Sequence, residues 1–217
     1  MPQDKQLFDT ELQNLRDRLL EMGVATEEML RDSLRALTRQ DLALARAVAE
    51  RDDLIDVFDV EIETQCLRLM AGRLTQASDR RLIHAALKIV TDIERIADHT
   101  VDIARVVERM SGEVIYKPLV DVAQLGEIAA SMLRRVLDAF VRHDLVAVRE
   151  VIADDDRADA LYSRMRRELA EVLQRDANSV LQANYLLFVA HYLERICDHC
   201  TNIAERIAFL ETGDRPA

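Results

Sequence analysis

Glu94-Arg95-Ile96-Ala97-Asp98-His99 returns one hundred positions later as Glu194-Arg195-Ile196-Cys197-Asp198-His199, and both copies run on to Ile-Ala, at Ile103-Ala104 and Ile203-Ala204. Reading this phrase as half of a duplication decides the fold. Shifting the first half by 103 positions brings Gly23 onto Gly126, Met29-Leu30-Arg31 onto Met132-Leu133-Arg134, and Asp41-Leu42 onto Asp144-Leu145. Asp52-Asp53 then falls on Asp155-Asp156, and for the segment carrying the phrase the shift drops to 100, which removes three residues from the preceding loop. A match this long and ordered marks an internal repeat.

The repeated unit is helical. The chain of 217 residues has five Gly and three Pro, and Pro118 is the only proline away from its ends. Few breakers with abundant Leu, Ala, Arg and Glu predict long helices. Apolar residues at Leu12, Leu15, Leu19, Met22, Met29, Leu30, Leu34 and Leu37 place the first helix over Leu7 to about Thr38. Asp41 serves as N-cap of a second, which runs to about Ala71 and is ended by Gly72. A third starts near Ser78-Asp79 and closes around Met110 to Gly112. Ile55, Phe58, Ile62, Cys66 and Leu69 form a core stripe that Ala158, Leu161, Met165, Leu169 and Val172 repeat. Helices of about 25 to 35 residues with short connections pack as antiparallel neighbours. The expected fold class is all-α: six long helices as two tandem three-helix bundles, residues 1–112 and 113–217, joined by the linker 112–118.

Composition excludes several functions. A net charge of −11 argues against general nucleic-acid binding and unaided attachment to anionic lipid. Arg164 to Arg167, with Arg134 and Arg135, could make a local basic patch, but exposed arginine on a helix is ordinarily a solvated face. The polar N-terminus, the lack of a spanning apolar window and an odd cysteine count predict a cytoplasmic protein. Cys197 and Cys200 make a C-x-x-C inside an unbroken helical pattern with no second copy, and read as two small buried side chains. There is no glycine-rich phosphate loop, G-x-S-x-G or zinc-protease histidine pair, so no enzyme is expected.

The carboxylates carry the functional signal. Glu94 with Asp98 and Glu194 with Asp198 stand four apart, one above the other on a helix. The second helix of each unit adds Asp52 with Asp56 and Asp155 with Asp159. Asp52, Asp56 and Asp59 lie about 40° to 100° from Ile55, at the rim of a groove, whereas Glu94 and Asp98 point about 120° to 160° from the inward line, nearly the outer face. An outer charged face is ordinary. Yet like charges at i and i+4 cost a helix a few tenths of a kcal/mol, and both units repeat them. A shape requirement explains repeated leucines; a hard cation explains repeated repulsion. His99 and His199 point about 100° away from the preceding Asp and read as structural. The chain holds no Glu-x-x-His, which counts against a di-iron bundle.

With these residues in place the sequence resembles the PhoU family of phosphate-signalling regulators, over about Leu7 to Leu210. The resemblance rests on Leu20-Glu21-Met22-Gly23, on Ala77-Ser78-Asp79 with Arg81, and on the two Glu-Arg-Ile-x-Asp-His phrases. It implies two three-helix bundles related by a pseudo-twofold, with E/D-x-x-x-D motifs holding multinuclear metal clusters at the surface. Carried over, the ligands are Asp52, Asp56, Glu94, Asp98, Asp155, Asp159, Glu194 and Asp198, with Asp102 and Asn202 weaker. The ions are divalent or ferric: iron, zinc, manganese or magnesium. The resemblance also implies a negative regulator of phosphate uptake and phosphate-starvation signalling. Its partners are the phosphate ABC transporter's ATPase subunit and the phosphate regulon's sensor histidine kinase, with membrane association only through them. A homodimer is expected. The alternative is a metal-storage or metal-buffering bundle. This chain has Leu74-Thr75 where the family usually has Gln-Pro, a departure that leaves the carboxylates alone.

Overall fold

The scarcity of breakers is obeyed almost literally. The computed structural model describes residues 2–72, 76–111, 120–175 and 180–213, with side chains described for 6–72, 76–111, 121–171 and 180–213. Within them the chain forms α1 (Pro2–Arg39), α2 (Leu42–Ala49), α3 (Asp52–Ala71), α4 (Ala77–Arg109), α5 (Val120–Arg142), α6 (Leu145–Arg175) and α7 (Val180–Thr212). The expected linker at 112–118, with the boundary between the units, and the Leu74-Thr75 departure lie outside the described residues; so does the Val172 side chain.

Each bundle turns its first corner the same way. Gln40 and His143, 103 residues apart, take the left-handed conformation at φ 53 and φ 56. The next amide then reaches back five residues, Asp41 to the Ala36 carbonyl at 3.0 Å and Asp144 to that of Ala139 at 3.1 Å. This satisfies a carbonyl the helix end leaves open. The same aspartate caps the next helix: Asp41 Oδ1 accepts from the Leu44 amide at 3.0 Å, and Asp144 Oδ1 from Val146 at 2.8 Å and Ala147 at 3.1 Å.

One sequence expectation needs correction. The second helix of the first unit is not continuous but breaks between α2 and α3 at Glu50-Arg51, whereas its counterpart α6 runs through. The Arg51 amide bonds the Val48 carbonyl at 3.1 Å and the Leu54 amide bonds that of Arg51 at 3.1 Å, three residues back instead of four. Glu50 and Arg51 keep right-handed angles, so the rod carries on. Asp52 and Asp53 then occupy a new first turn, where the helix dipole favours acid. The bundle still has three rods.

The α1, α2–α3 and α4 rods pack on one another, as do α5, α6 and α7, and the two bundles meet along α4 against α7 and α1 against α5. The stripes Ile55, Phe58, Ile62, Cys66, Leu69 and Ala158, Leu161, Met165, Leu169 are all buried. At the second contact line the pseudo-twofold is explicit. A Cβ added to Gly23 would lie 2.4 Å from Leu137 Cδ2, and one added to Gly126 2.7 Å from Leu34 Cδ2. Each repeat's leucine thus covers the other repeat's glycine, and only a residue without a side chain permits that approach. Among the described residues no helix is long and apolar enough to cross a membrane.

Candidate functional site

The helical period turns Ile55, Phe58 and Ile62 inward and leaves Asp52, Asp56 and Asp59 along the flank of α3. That flank faces α4. Asp52 is half-buried, and its carboxyl is raised by burial first, then by Asp56 and by Asp98 of α4, with Arg105 opposing. Glu94 is raised by burial, then by Asp98, with Arg95 opposing and Asp59 and Asp56 of α3 adding. The two carboxylate pairs of a bundle therefore share one surface. The outer-face expectation for Glu94 and Asp98 is corrected: both are half-buried, and Thr91 and Arg95 hold the exposed positions. The reason is that α4 is buried against α7 as well as against its own bundle, so its inward direction is a broad arc, not a line.

In the second bundle the gathering is tighter. One oxygen from each of Asp159, Glu194 and Asp198 can be chosen so that all three lie within 4.8 Å of one another. Beside them, Asp155 is pushed up to about 6 by burial, then by Asp198 and Asp159, with the Thr201 hydroxyl opposing. Glu194 is raised by burial first and then by Asp198. Asp155 Oδ1 and Glu194 Oε2 are buried without a hydrogen-bond partner. His191 Nδ1 stands 3.6 Å from Glu194 Oε2. Buried carboxylate oxygens short of hydrogen bonds are costly, and a hard cation is the partner that would satisfy several at once.

The phrase also contains its own partial relief, which sequence reasoning overlooked. Arg95 Nη1 donates to Asp98 Oδ2 at 2.9 Å, and Arg195 donates likewise to Asp198. Each arginine takes one oxygen of its aspartate and leaves the other. Asp59, on the groove rim, is half-buried and raised by burial, then by Glu63 and Asp56. Its repeat counterpart is Tyr162, so the two carboxylate groups are related but not equal.

The histidines belong to the seam between bundles. His199 Nδ1 lies 2.9 Å from Asp92 Oδ1, which Asn202 Nδ2 also approaches at 3.4 Å. His99 stacks on Tyr192, the repeat counterpart of Asp92, at 5.7 Å between centroids, and the two histidine rings stand 5.8 Å apart. Burial and then the neighbouring His199 lower the His99 pKa. Of the weaker ligand candidates, Asn202 approaches Asp92, and Asp102 accepts from Arg105 at 3.2 Å, the arginine that also opposes the rise of Asp52. Cys66, Cys197 and Cys200 are free and buried. Burial raises all three thiols, Cys66 up to about 12, so at neutral pH none offers a thiolate. Arg134, Arg135 and Arg164 are each tied to a carboxylate of the chain, at Glu27, Asp154 and Asp121.

A family model described as the PhoU domain matches residues 19–107 and again 122–207. The phosphate-specific transport system accessory protein PhoU homolog of Clostridium acetobutylicum is 38% identical over 210 residues, covering 96% of each chain. The crystal structure of PhoU from Pseudomonas aeruginosa superposes with a TM-score of 0.93 at 34% identity, covering 95% of this chain and 100% of that one. That of the phosphate transport system regulatory protein PhoU from Streptococcus pneumoniae gives 0.89 at 30% identity, covering 97% and 99%.

Proposed function

This chain belongs to the PhoU family, and from that premise we propose that it is a non-enzymatic regulator of phosphate uptake and of phosphate-starvation signalling. It acts in the cytoplasm by binding the phosphate transporter's ATPase subunit and the sensor histidine kinase, and represses signalling when phosphate is plentiful. The names of its near-full-length relatives, an accessory protein of phosphate-specific transport and a phosphate transport regulator, support the role in phosphate transport.

The observation that carries the metal part of the reading is the convergence of Asp159, Glu194 and Asp198 within 4.8 Å, beside one buried oxygen each of Glu194 and Asp155 that makes no hydrogen bond. An all-oxygen donor set with no available thiolate suits magnesium, manganese or ferric iron better than a soft metal. Asp155, Asp159, Glu194 and Asp198 would hold ions in the second bundle, and Asp52, Asp56, Glu94 and Asp98 in the first. A bound cation supplies positive charge, turning a surface that repels anions into one that attracts them.

Two measurements test this reading. Pull-down with the transporter ATPase and the sensor kinase should recover both partners. Elemental analysis after dialysis against each metal should find a few ions per chain, lost when Glu94→Ala/Asp98→Ala is combined with Glu194→Ala/Asp198→Ala. Unchanged metal content in that variant would remove metal binding from the reading. Many ions per chain without partner binding would favour storage.

A further inference from the structure

We propose that the groove between α1 and α5, away from the carboxylate groups, docks an acidic amphipathic helical segment of a partner protein. The groove has a volume of about 590 Å³, with Arg31, Arg35, Arg134 and Arg135 on its walls and Leu34 and Ala130 among its apolar lining. Glu127 is the one carboxylate among those lining residues.

The arginines are paired, but incompletely. Glu27 is shared by Arg31 at 2.7 Å and Arg134 at 3.0 Å. Asp32 is shared by Arg35 at 3.1 Å and Arg51 at 2.9 Å. Asp154 is shared by Arg135 and Arg157, and Glu150 stands 4.0 Å from Arg135. Two guanidinium groups meeting one carboxylate leave one positive charge over, and this happens at Glu27 and at Asp32. Arg31, Arg35 and Arg134 keep about half of their side-chain surface exposed. Glu127 offsets one of these charges, which leaves a small net positive surface on a chain of net charge −11.

Duplication did not create it. Arg31 and Arg134 are each other's repeat counterparts and are common to both surfaces, whereas the counterparts of Arg35 and Arg135 are Asp138 and Asp32, so the related surface puts two aspartates where the groove has its other two arginines. The small residues Ala123 and Ala130, which open the groove, correspond to Leu20 and Glu27. The charge contributed by Arg35 and Arg135 is therefore not repeated on the related surface.

These features select the occupant. Free anions would satisfy the guanidinium forks but leave the apolar floor wet. An amphipathic helix lays apolar side chains on such a floor and offers carboxylates at i and i+4 to arginines on both walls, which bind carboxylate bidentately. The net acidity of the chain opposes nucleic acid and anionic membrane, both of which demand an extended basic surface.

The test uses the full chain and a fluorescein-labelled synthetic helical peptide with a leucine face flanked by glutamates at i and i+4, alongside its lysine-for-glutamate twin. Anisotropy should report binding of the acidic peptide that weakens with salt. Arg35→Asp, which installs the residue of the repeat-related surface, should weaken it at least fivefold. Ala123→Leu should weaken it comparably with no change of charge. Glu127→Gln should tighten it. Glu127 is exposed and its replacement leaves the fold alone, so an unchanged Kd in that variant counts against the proposal without reference to the others. Binding unmoved by Arg35→Asp and Ala123→Leu in variants of parental circular dichroism overturns it, as does capture of anionic vesicles in place of the peptide. Variants at Glu94, Asp98, Glu194 and Asp198 should leave peptide binding unchanged, which separates this surface from the metal reading.

Discussion

Leu137 closes over Gly23 so tightly that a single methyl group added to the glycine would sit 2.4 Å from Leu137 Cδ2. The contact locks α1 to α5, and its repeat image, Leu34 over Gly126 at 2.7 Å, locks them again. Gly23→Ala gains about 1 kcal/mol of helix propensity and meets an overpacking cost of about 1–3 kcal/mol. Because the obstacle is a leucine terminus, which can rotate, we expect a net loss of about 1 kcal/mol by urea denaturation. Leu137→Ala costs about 2–5 kcal/mol by the cavity it leaves. The double variant should be less destabilised than the sum of the two, since the truncated leucine makes room for the methyl. Simple additivity would mean that the two residues do not touch.

The raised carboxylates predict how stability responds to acid. Asp155 is pushed up to about 6 from 3.8, by burial and then by Asp198 and Asp159; Asp52, Glu94 and Glu194 move the same way. A carboxyl with a folded-state pKa above its unfolded value binds more protons when folded, so protonation stabilises the fold. Metal-free protein should therefore gain stability as pH falls from 7 toward about 5, read as a rising thermal midpoint. Asp155→Asn should raise the midpoint at pH 7 and flatten this dependence. Asp154 runs the other way: burial raises it, but hydrogen bonds from Arg135 and Arg157 outweigh burial and hold it low. Its contribution is present above the unfolded pKa of 3.8 and lost as pH falls through the depressed value, so the gain reverses at lower pH.

Metal should act on the same groups with the opposite pH preference. A ligand that binds only the folded state stabilises by about 2.7 kcal/mol at one hundred times its Kd. Manganese or magnesium should raise the thermal midpoint at pH 7 and lose that effect as the carboxylates protonate. The two bundles should not respond alike. Asp159, Glu194 and Asp198 already converge within 4.8 Å, so Glu194→Gln should weaken the tighter-bound ions more than Glu94→Gln. Titration calorimetry of the two single variants checks this, and equal losses would contradict it.

Much of this was legible in the sequence because it follows a fixed period. The stripe from Ile55 to Leu69 and the returning phrase are local patterns that place the rods and the duplication and single out the carboxylate pairs as repeated. The break at Glu50-Arg51 was not legible, because no glycine or proline marks it and both residues keep helical angles. Nor was the position of Glu94, since the inward face of α4 depends on α7, half a chain away. Asp92 and His199 are 107 positions apart and meet across the repeats; no local spacing announces them.

The last relationship concerns an ion pair that the duplication kept while exchanging its charges. In the first bundle Asp32 of α1 holds Arg51 at 2.9 Å and Arg35 at 3.1 Å. In the second, the counterparts of Asp32, Arg35 and Arg51 are Arg135, Asp138 and Asp154, and Arg135 pairs with Asp154. Asp32 and Asp154 each expose about 15% of their side-chain surface, so the pair has a steric place that either polarity can fill. Asp32→Arg alone would set three arginines against one another and should destabilise by about 1–3 kcal/mol, the range for an unpaired, partly buried charge. Adding Arg35→Asp and Arg51→Asp reproduces the polarity of the second bundle and should return stability to within about 1 kcal/mol of the parent in denaturant titration. Recovery would show that the contact between the first rod and the second needs opposite charges but not a particular arrangement of them. Failure of the triple variant would mean that the guanidinium of Arg51 does more than pair with Asp32, and the break in the helix beside it is where that role would lie.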